Sequence, residues 1–206
     1  MNPIDIWYFP FDNVEKASIK TLNTQEKQKA ERFYKEIDRQ RYILSHTFLR
    51  EVLSNYFPDI KEEAWEFSFN AFGKPSLSSI HECKLYFNLS HSDSRAYIIC
   101  SKDCECGIDV EEDKDMDLDE SILDLVLSVK EKKGFKNKDF FRYWTLKEAY
   151  VKAVGKGLSL SINQIEMKSI QKYVHSSYSF DNYMLSFVVL EEDKKHEVRF
   201  YTLDDL

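Results

Sequence analysis

The chain opens on a nearly unbroken apolar run, Ile4-Asp5-Ile6-Trp7-Tyr8-Phe9, whose length and β-branched and aromatic content predict a strand. The pattern changes at Asn23-Thr24-Gln25-Glu26, where capping residues stand ahead of a glutamate. A charged helix is expected from there to about Tyr34, and a second over residues 38–56, closed by Pro58. Residues 65–69 alternate like a half-buried strand and run into a turn at Gly73-Lys74-Pro75. Residues 84–89, 95–100 and 105–111 read as three more strands. After an acidic stretch, helical spacing returns over residues 118–133 and 139–154, the latter ended by Gly155. Strands are expected again at 164–168, 184–190 and 197–202. Strands and helices mix without strict βαβ alternation, which predicts an α+β fold.

Composition narrows the class. At 206 residues, 43% hydrophobic and rich in aromatics, the chain suffices for one large domain or two tightly packed halves. The net charge of −7 argues against a nucleic-acid protein and requires any anion site to be a local basic cluster. The first residues lack a basic leader pattern, and no segment approaches the roughly 20 apolar residues that span a bilayer. A cytoplasmic protein with no membrane or nucleic-acid partner is expected. Cys100, Cys104 and Cys106 are spaced unlike zinc-ribbon pairs, so reduced thiols near strands are the reading, together with Cys83. Asp113, Asp115 and Asp117 imitate the start of a calcium loop, but Leu118 stands where that loop needs glycine.

Two segments carry chemistry. In Gly107-Ile108-Asp109-Val110-Glu111, a strand turns Asp109 and Glu111 to one face, about 7 Å apart, where they repel unless a cation or water lies between them. A half-exposed edge strand is the plain alternative. In residues 140–152, Phe140, Trp144 and Val151 recur at helical spacing, and Glu148 falls in that stripe. A carboxylate there must be paired, protonated or metal-bound. Lys152, one turn on, offers the pairing explanation. Taken together, three carboxylates suit a hard oxygen-liganded ion such as Mg²⁺, with Lys152 placed beside a phosphoryl group. Arg41, Lys74, Ser90 and His91 add phosphate-binding groups near element ends.

The ordered pieces Phe72-Gly73-Lys74-Pro75, Phe87-Asn88-Leu89-Ser90-His91-Ser92, Gly107 to Glu111, and Trp144 to Lys152 continuing through Gly155-Lys156-Gly157-Leu158-Ser159-Leu160 are similar to a known family. The chain resembles the longer, surfactin-synthetase-activating (Sfp-type) 4′-phosphopantetheinyl transferases over residues 20–165. The resemblance implies two similar α+β halves about a pseudo-two-fold axis, residues 1–102 and 103–206, with coenzyme A between them. It implies Mg²⁺ on Asp109, Glu111 and Glu148, with Lys152 on the pyrophosphate. Arg41, Ser90 and His91 fall at the 3′-phosphate, and Gly73 and Lys74 beside the adenine. The family often has two lysines ahead of the Arg32-Phe33-Tyr34 segment; Lys29 matches the second, whereas Glu26 stands at the first.

The implied reaction moves the phosphopantetheine of coenzyme A to a serine of an acyl or peptidyl carrier protein, releasing adenosine 3′,5′-bisphosphate. Glu148 and Lys152 are the catalytic candidates, the base being Glu148 or a metal-bound water that it orients. A monomer is expected, since both halves lie in one chain. The competing readings are a Mg²⁺-dependent nucleotide pyrophosphate hydrolase and a non-catalytic coenzyme A-binding module.

Overall fold

A computed structural model describes residues 2–11, 18–192 and 195–206. Its elements, in chain order, are β1 (Ile4–Pro10), α1 (Thr24–Ala30), α2 (Glu36–Tyr56), β2 (Phe67–Phe69), β3 (Pro75–Leu77), β4 (Tyr86–Ser92), β5 (Arg95–Ser101) and β6 (Cys106–Glu112). These are followed by α3 (Glu120–Val126), α4 (Phe140–Val154), α5 (Met167–Ile170), β7 (Tyr173–Phe180), β8 (Tyr183–Glu192) and β9 (Val198–Tyr201). The fold is α+β.

One sheet has the order β4-β5-β1-β9 and another β6-β8-β7, with a small β2-β3 pair apart. Alternation along the strands builds the layers. Trp7, Phe9, Ala96, Ile98 and Cys100 pack with Leu44, Phe48, Val52 and Leu53 of α2 on one side of the first sheet. Ile4, Ile6, Tyr97 and Ile99 on its other side meet Ile108, Val110, Leu185 and Phe187 of the second sheet. The second sheet's far side, through Val188, packs with Leu146, Ala149 and Ala153 of α4. Helix, sheet, sheet, helix reads the same from either end, as a molecule of two like halves should. The C-terminal strand β9 crosses back and pairs in parallel with β1, Ile4 opposite Val198 and Trp7 opposite Tyr201.

Several expected boundaries shift, each for a physical reason. The first helix ends at Ala30 rather than Tyr34, because Ala30 is the last residue to join the Leu22–Tyr42–Ile43 cluster; Tyr34 stands fully exposed. The helix expected over 118–133 stops at Val126, whose carbonyl takes the Lys147 ammonium at 2.7 Å, and Leu127 is extended. Glu131 then organises the next turns, accepting from Ser128 N at 2.9 Å and Met167 N at 2.7 Å. That contact helps make residues 164–168 turns and a short helix instead of the expected strand. The real strand, β7, carries Ser176, Ser177 and Ser179 among its aromatics, which weakens its apolar pattern. Finally, Ser90 and His91 lie within β4, opposite Tyr97 and Ala96, so the strand runs past its expected end at residue 89.

The cysteines are all free thiols. Cys100 and Cys106 are core residues of β5 and β6, and burial pushes the Cys106 thiol up to about 12. No helix among the described residues is long and apolar enough to cross a membrane.

Candidate active site

Strand β6 and helix α4 approach at Gly107. A Cβ there would lie 2.1 Å from the Ala149 carbonyl oxygen and 2.4 Å from Ala153 N, so only glycine allows this backbone-to-backbone contact. The close approach sets the two chemical segments face to face. Asp109, two residues along β6, receives the Lys152 ammonium on Oδ1 at 2.6 Å. Lys152 also donates to Ser90 Oγ at 2.9 Å, and Ser90 donates to the same Asp109 oxygen at 3.0 Å. The i, i+4 alternative is thereby decided: the lysine goes to Asp109 and Ser90, and among the described residues no hydrogen bond joins it to Glu148. Helical spacing puts Glu148 on the buried stripe, but it is Lys147 that is fully buried, bonded to Val126 O and Glu131. Glu148 is half-buried and borders the cleft beside Trp144, Val151 and Lys152.

The edge strands β4 and β6 run side by side in the same direction without a backbone ladder. Alternate side chains of β4 bridge them instead. Asn88 Oδ1 accepts from Ile108 N at 3.0 Å, Ser90 holds Asp109, and Ser92 donates to Glu111 at 3.1 Å and accepts from Glu112 N at 3.2 Å. Glu112 turns away from the carboxylate pair, toward Lys114 and Asn182.

Three adjoining cavities follow this seam. The largest, about 680 Å³, is bordered by Gly73, Lys74, Asn88, Trp144, Glu148, Lys152 and the segment around Gly157 to Asn163. A second, about 270 Å³, shares Lys152 and adds Lys29, Tyr42, Ser45, His46, Ser90 and His91. A third, about 300 Å³, shares Lys29, Tyr42 and His46 with the second and Gly73 and Asn88 with the first. Of the site residues expected from sequence, Gly73, Lys74, Glu148 and Lys152 thus border the large cavity, and Lys29, Ser90, His91 and Lys152 the smaller one. Arg41 borders none of the three; its guanidinium pairs with Asp93 at 3.0 Å and lies over Phe11. The Lys74 ammonium is also engaged: it donates to Ala153 O at 2.8 Å and Cys106 O at 3.2 Å and pairs with Glu105. With Asn70, which donates to Gly155 O at 2.8 Å, it satisfies carbonyls at the end of α4. Gly155 closes that end in the left-handed region at φ 71°.

Burial and then the neighbouring Asp109 charge push both Glu111 and Glu148 above the usual carboxylate range. His91 is held low by the protein around its ring and by the positive charges of Lys152 and Arg41. A site that depresses a cation and raises carboxylates is one where charge is concentrated and unfinished.

Comparison with known proteins identifies the family. Residues 105–201 match the 4′-phosphopantetheinyl transferase superfamily profile, and residues 7–103 match the profile of the 4′-phosphopantetheinyl transferase N-terminal region. The chain is 32% identical to the 4′-phosphopantetheinyl transferase HetI of Nostoc sp., over 80% of this chain and 73% of that protein. It belongs to the 4′-phosphopantetheinyl transferase superfamily. The transferase is also 30% identical to Sfp of Bacillus subtilis, over 71% of this chain and 66% of Sfp. A more distant relative is the L-aminoadipate-semialdehyde dehydrogenase-phosphopantetheinyl transferase of Schizosaccharomyces pombe, at 25% identity over 84% of this chain and 80% of its own length.

Three carboxylates of this transferase have the chemistry that suits a hard divalent cation. Asp109, Glu111 and Glu148 offer oxygens only, and Asp109 Oδ2 is buried with no hydrogen-bond partner. Among the described residues no three acidic, histidine or cysteine side chains converge closely enough to cage an ion as they stand. On Asp109 Oδ1 the Lys152 ammonium is the cation present. Sequence reasoning missed Asn88 and Ser92, whose bridging depends on a strand neighbour twenty residues away, and His46, which looks like an ordinary helix residue. The alternation of Asn88, Ser90 and Ser92 on one face was the available signal.

Proposed function

We propose that this transferase moves the phosphopantetheine arm of coenzyme A onto a serine hydroxyl of an acyl or peptidyl carrier protein, in a Mg²⁺-dependent reaction that releases adenosine 3′,5′-bisphosphate. The observation that carries the reading is Lys152: one ammonium, bonded to Asp109 and Ser90, borders both the large cavity and the smaller basic one. A ligand that spans the two needs an extended body with anionic groups at its middle and at one end, as coenzyme A has.

In this mechanism Asp109, Glu111 and Glu148 would hold Mg²⁺, which would neutralise charge on the phosphoryl oxygens. Lys152 binds the pyrophosphate and stabilises the charge that develops there. Glu148 accepts the serine proton directly or through one water. The serine oxygen bonds to the β-phosphorus as the bond from that phosphorus to the bridging oxygen breaks, and the bisphosphate leaves with the electron pair. Lys29 and His91 face the 3′-phosphate together with Ser90, whose hydroxyl is shared with Asp109. Arg41 joins them by leaving Asp93, and Gly73 and the stem of Lys74 line the adenine side. The halves 1–102 and 103–206 supply opposite walls, so a monomer suffices.

Mass spectrometry of a panel of apo-carriers incubated with the protein, coenzyme A and Mg²⁺ tests this. A phosphopantetheine mass should appear on a carrier serine and disappear when the metal is chelated. Release of the bisphosphate without any carrier would instead show a hydrolase, and no change in any carrier would remove the proposal.

A further inference from the structure

Glu26 occupies a position where the family resemblance leads one to expect lysine, and the structure shows what the carboxylate does. It completes a capping box with Asn23, accepting from Asn23 N at 2.9 Å while Asn23 accepts from Glu26 N at 3.0 Å. The same carboxylate receives the Arg50 guanidinium at 2.6 Å and His46 Nδ1 at 2.8 Å. Arg50 is fully buried and Glu26 is 6% exposed, so this is a fixed, water-excluded cluster and not a surface pair. Burial alone would raise the Glu26 carboxyl, but the His46 hydrogen bond and charge, the Asn23 N–H and Arg50 outweigh it and hold the group low. An ionised carboxylate only accepts, so His46 Nδ1 is the donor to Glu26; in the imidazolium form the second donor, Nε2–H, is then the one left for an anion.

The ring is held from a second side. Tyr42, one turn earlier on α2, packs against it with centroids 4.2 Å apart, and Lys29 lies over Tyr42 at 5.2 Å. With Nδ1 committed to Glu26, the His46 ring borders the 270 Å³ and 300 Å³ cavities, and Nε2 has no protein partner among the described residues. Lys29, His91 and Lys152 border the smaller cavity with it, and no carboxylate lines that space. Three further groups able to carry positive charge, with Ser45 and Ser90 hydroxyls between them, define a site for an anion.

We propose that Glu26 and His46 form a phosphate-reading pair in this cavity, Glu26 being the positioning residue and His46 Nε2 the group that bonds the anion. The assignment rests on the coenzyme A reading above, and the anion is then the 3′-phosphate.

Asparagine and glutamine divide the two ring nitrogens between them. The side-chain amide nitrogen of His46→Asn falls near Nδ1 and keeps a donor for Glu26, whereas that of His46→Gln falls near Nε2 and keeps a donor for the cavity. Calorimetric titration of the native chain and both variants with coenzyme A and with dephospho-coenzyme A, which lacks the 3′-phosphate, reads the contribution directly. His46→Asn should weaken coenzyme A about tenfold and leave dephospho-coenzyme A within about twofold, while His46→Gln keeps most of the preference. If the asparagine variant does not fold, His46→Ala is expected to show the same tenfold selective loss. A His46→Asn protein that discriminates between the ligands as the native one does, or that weakens both equally, overturns this inference alone. A native protein that binds both ligands equally, or neither, overturns the reading of the site and this inference with it.

Discussion

Asp109 is 4% exposed, yet one of its oxygens has no partner and the other is shared by a lysine and a serine. A buried carboxylate so arranged is costly unless something completes it, which is why its removal should separate chemistry from folding. Asp109→Ala and Glu148→Ala should each lower carrier modification at least about a hundredfold while circular dichroism stays native. Glu112→Ala should stay within about twofold, because Glu112 faces Lys114 and Asn182. If Glu112→Ala were the crippling change and Glu111→Ala silent, the two faces of β6 would have been assigned in reverse. These assignments were legible in the sequence because a strand alternates strictly, so Asp109 and Glu111 had to share a face. Arg41 and Lys74 were legible as basic residues near element ends. Their engagement with Asp93 and with the end of α4 was not, since it depends on contacts 52 and 79 residues away.

The strands and helices that carry the site were the most readable elements. β1, β5, β6, α2 and α4 have strong apolar periods, and each lies close to where its pattern puts it. The failures came where polar contacts override pattern. The third helix is cut short at the carbonyl that Lys147 binds, and β7 hides behind serines. Gly107 links element packing to chemistry: it lets α4 lie against β6, and that approach is what brings Lys152 to Asp109. Gly107→Ala should cost about 1–3 kcal/mol or more by overpacking, measured as a lowered thermal midpoint. Activity should fall even at temperatures where the variant remains folded, because the helix must move outward. A Gly107→Ala protein as stable and as active as the native one would contradict the packing described.

Across the whole molecule, the two halves are joined by apolar contact between the sheets, by β9 pairing with β1, and by the Asn70 and Lys74 bonds to the end of α4. Such joints predict a single cooperative unfolding transition. Trp7 and Trp65 report on the first half and Trp144 on the second. Urea melts of variants retaining only Trp144, or only Trp65, should therefore coincide with each other and with the loss of helix signal. Two separated transitions would show that the halves stand independently. The acidic balance of the chain pointed only to a local basic site. Its location could not be read from charge, because Lys29, His46, His91 and Lys152 come from four elements scattered over the sequence.

The seam between β4 and β6 bears on how such a cleft can be retuned. Two strands joined by their backbones can be displaced only by whole residues, and a one-residue slip turns every side chain to the wrong face. The smallest harmless adjustment is then a step of about 7 Å. Here the join is made by an asparagine and two serines, whose lengths differ by single bonds. Exchanging serine for asparagine at position 90 or 92 would lengthen that bridge by one bond and leave the backbone ladders of both sheets as they are. The spacing along this seam is thus set in small steps by three side chains, which can change while both sheets keep their register.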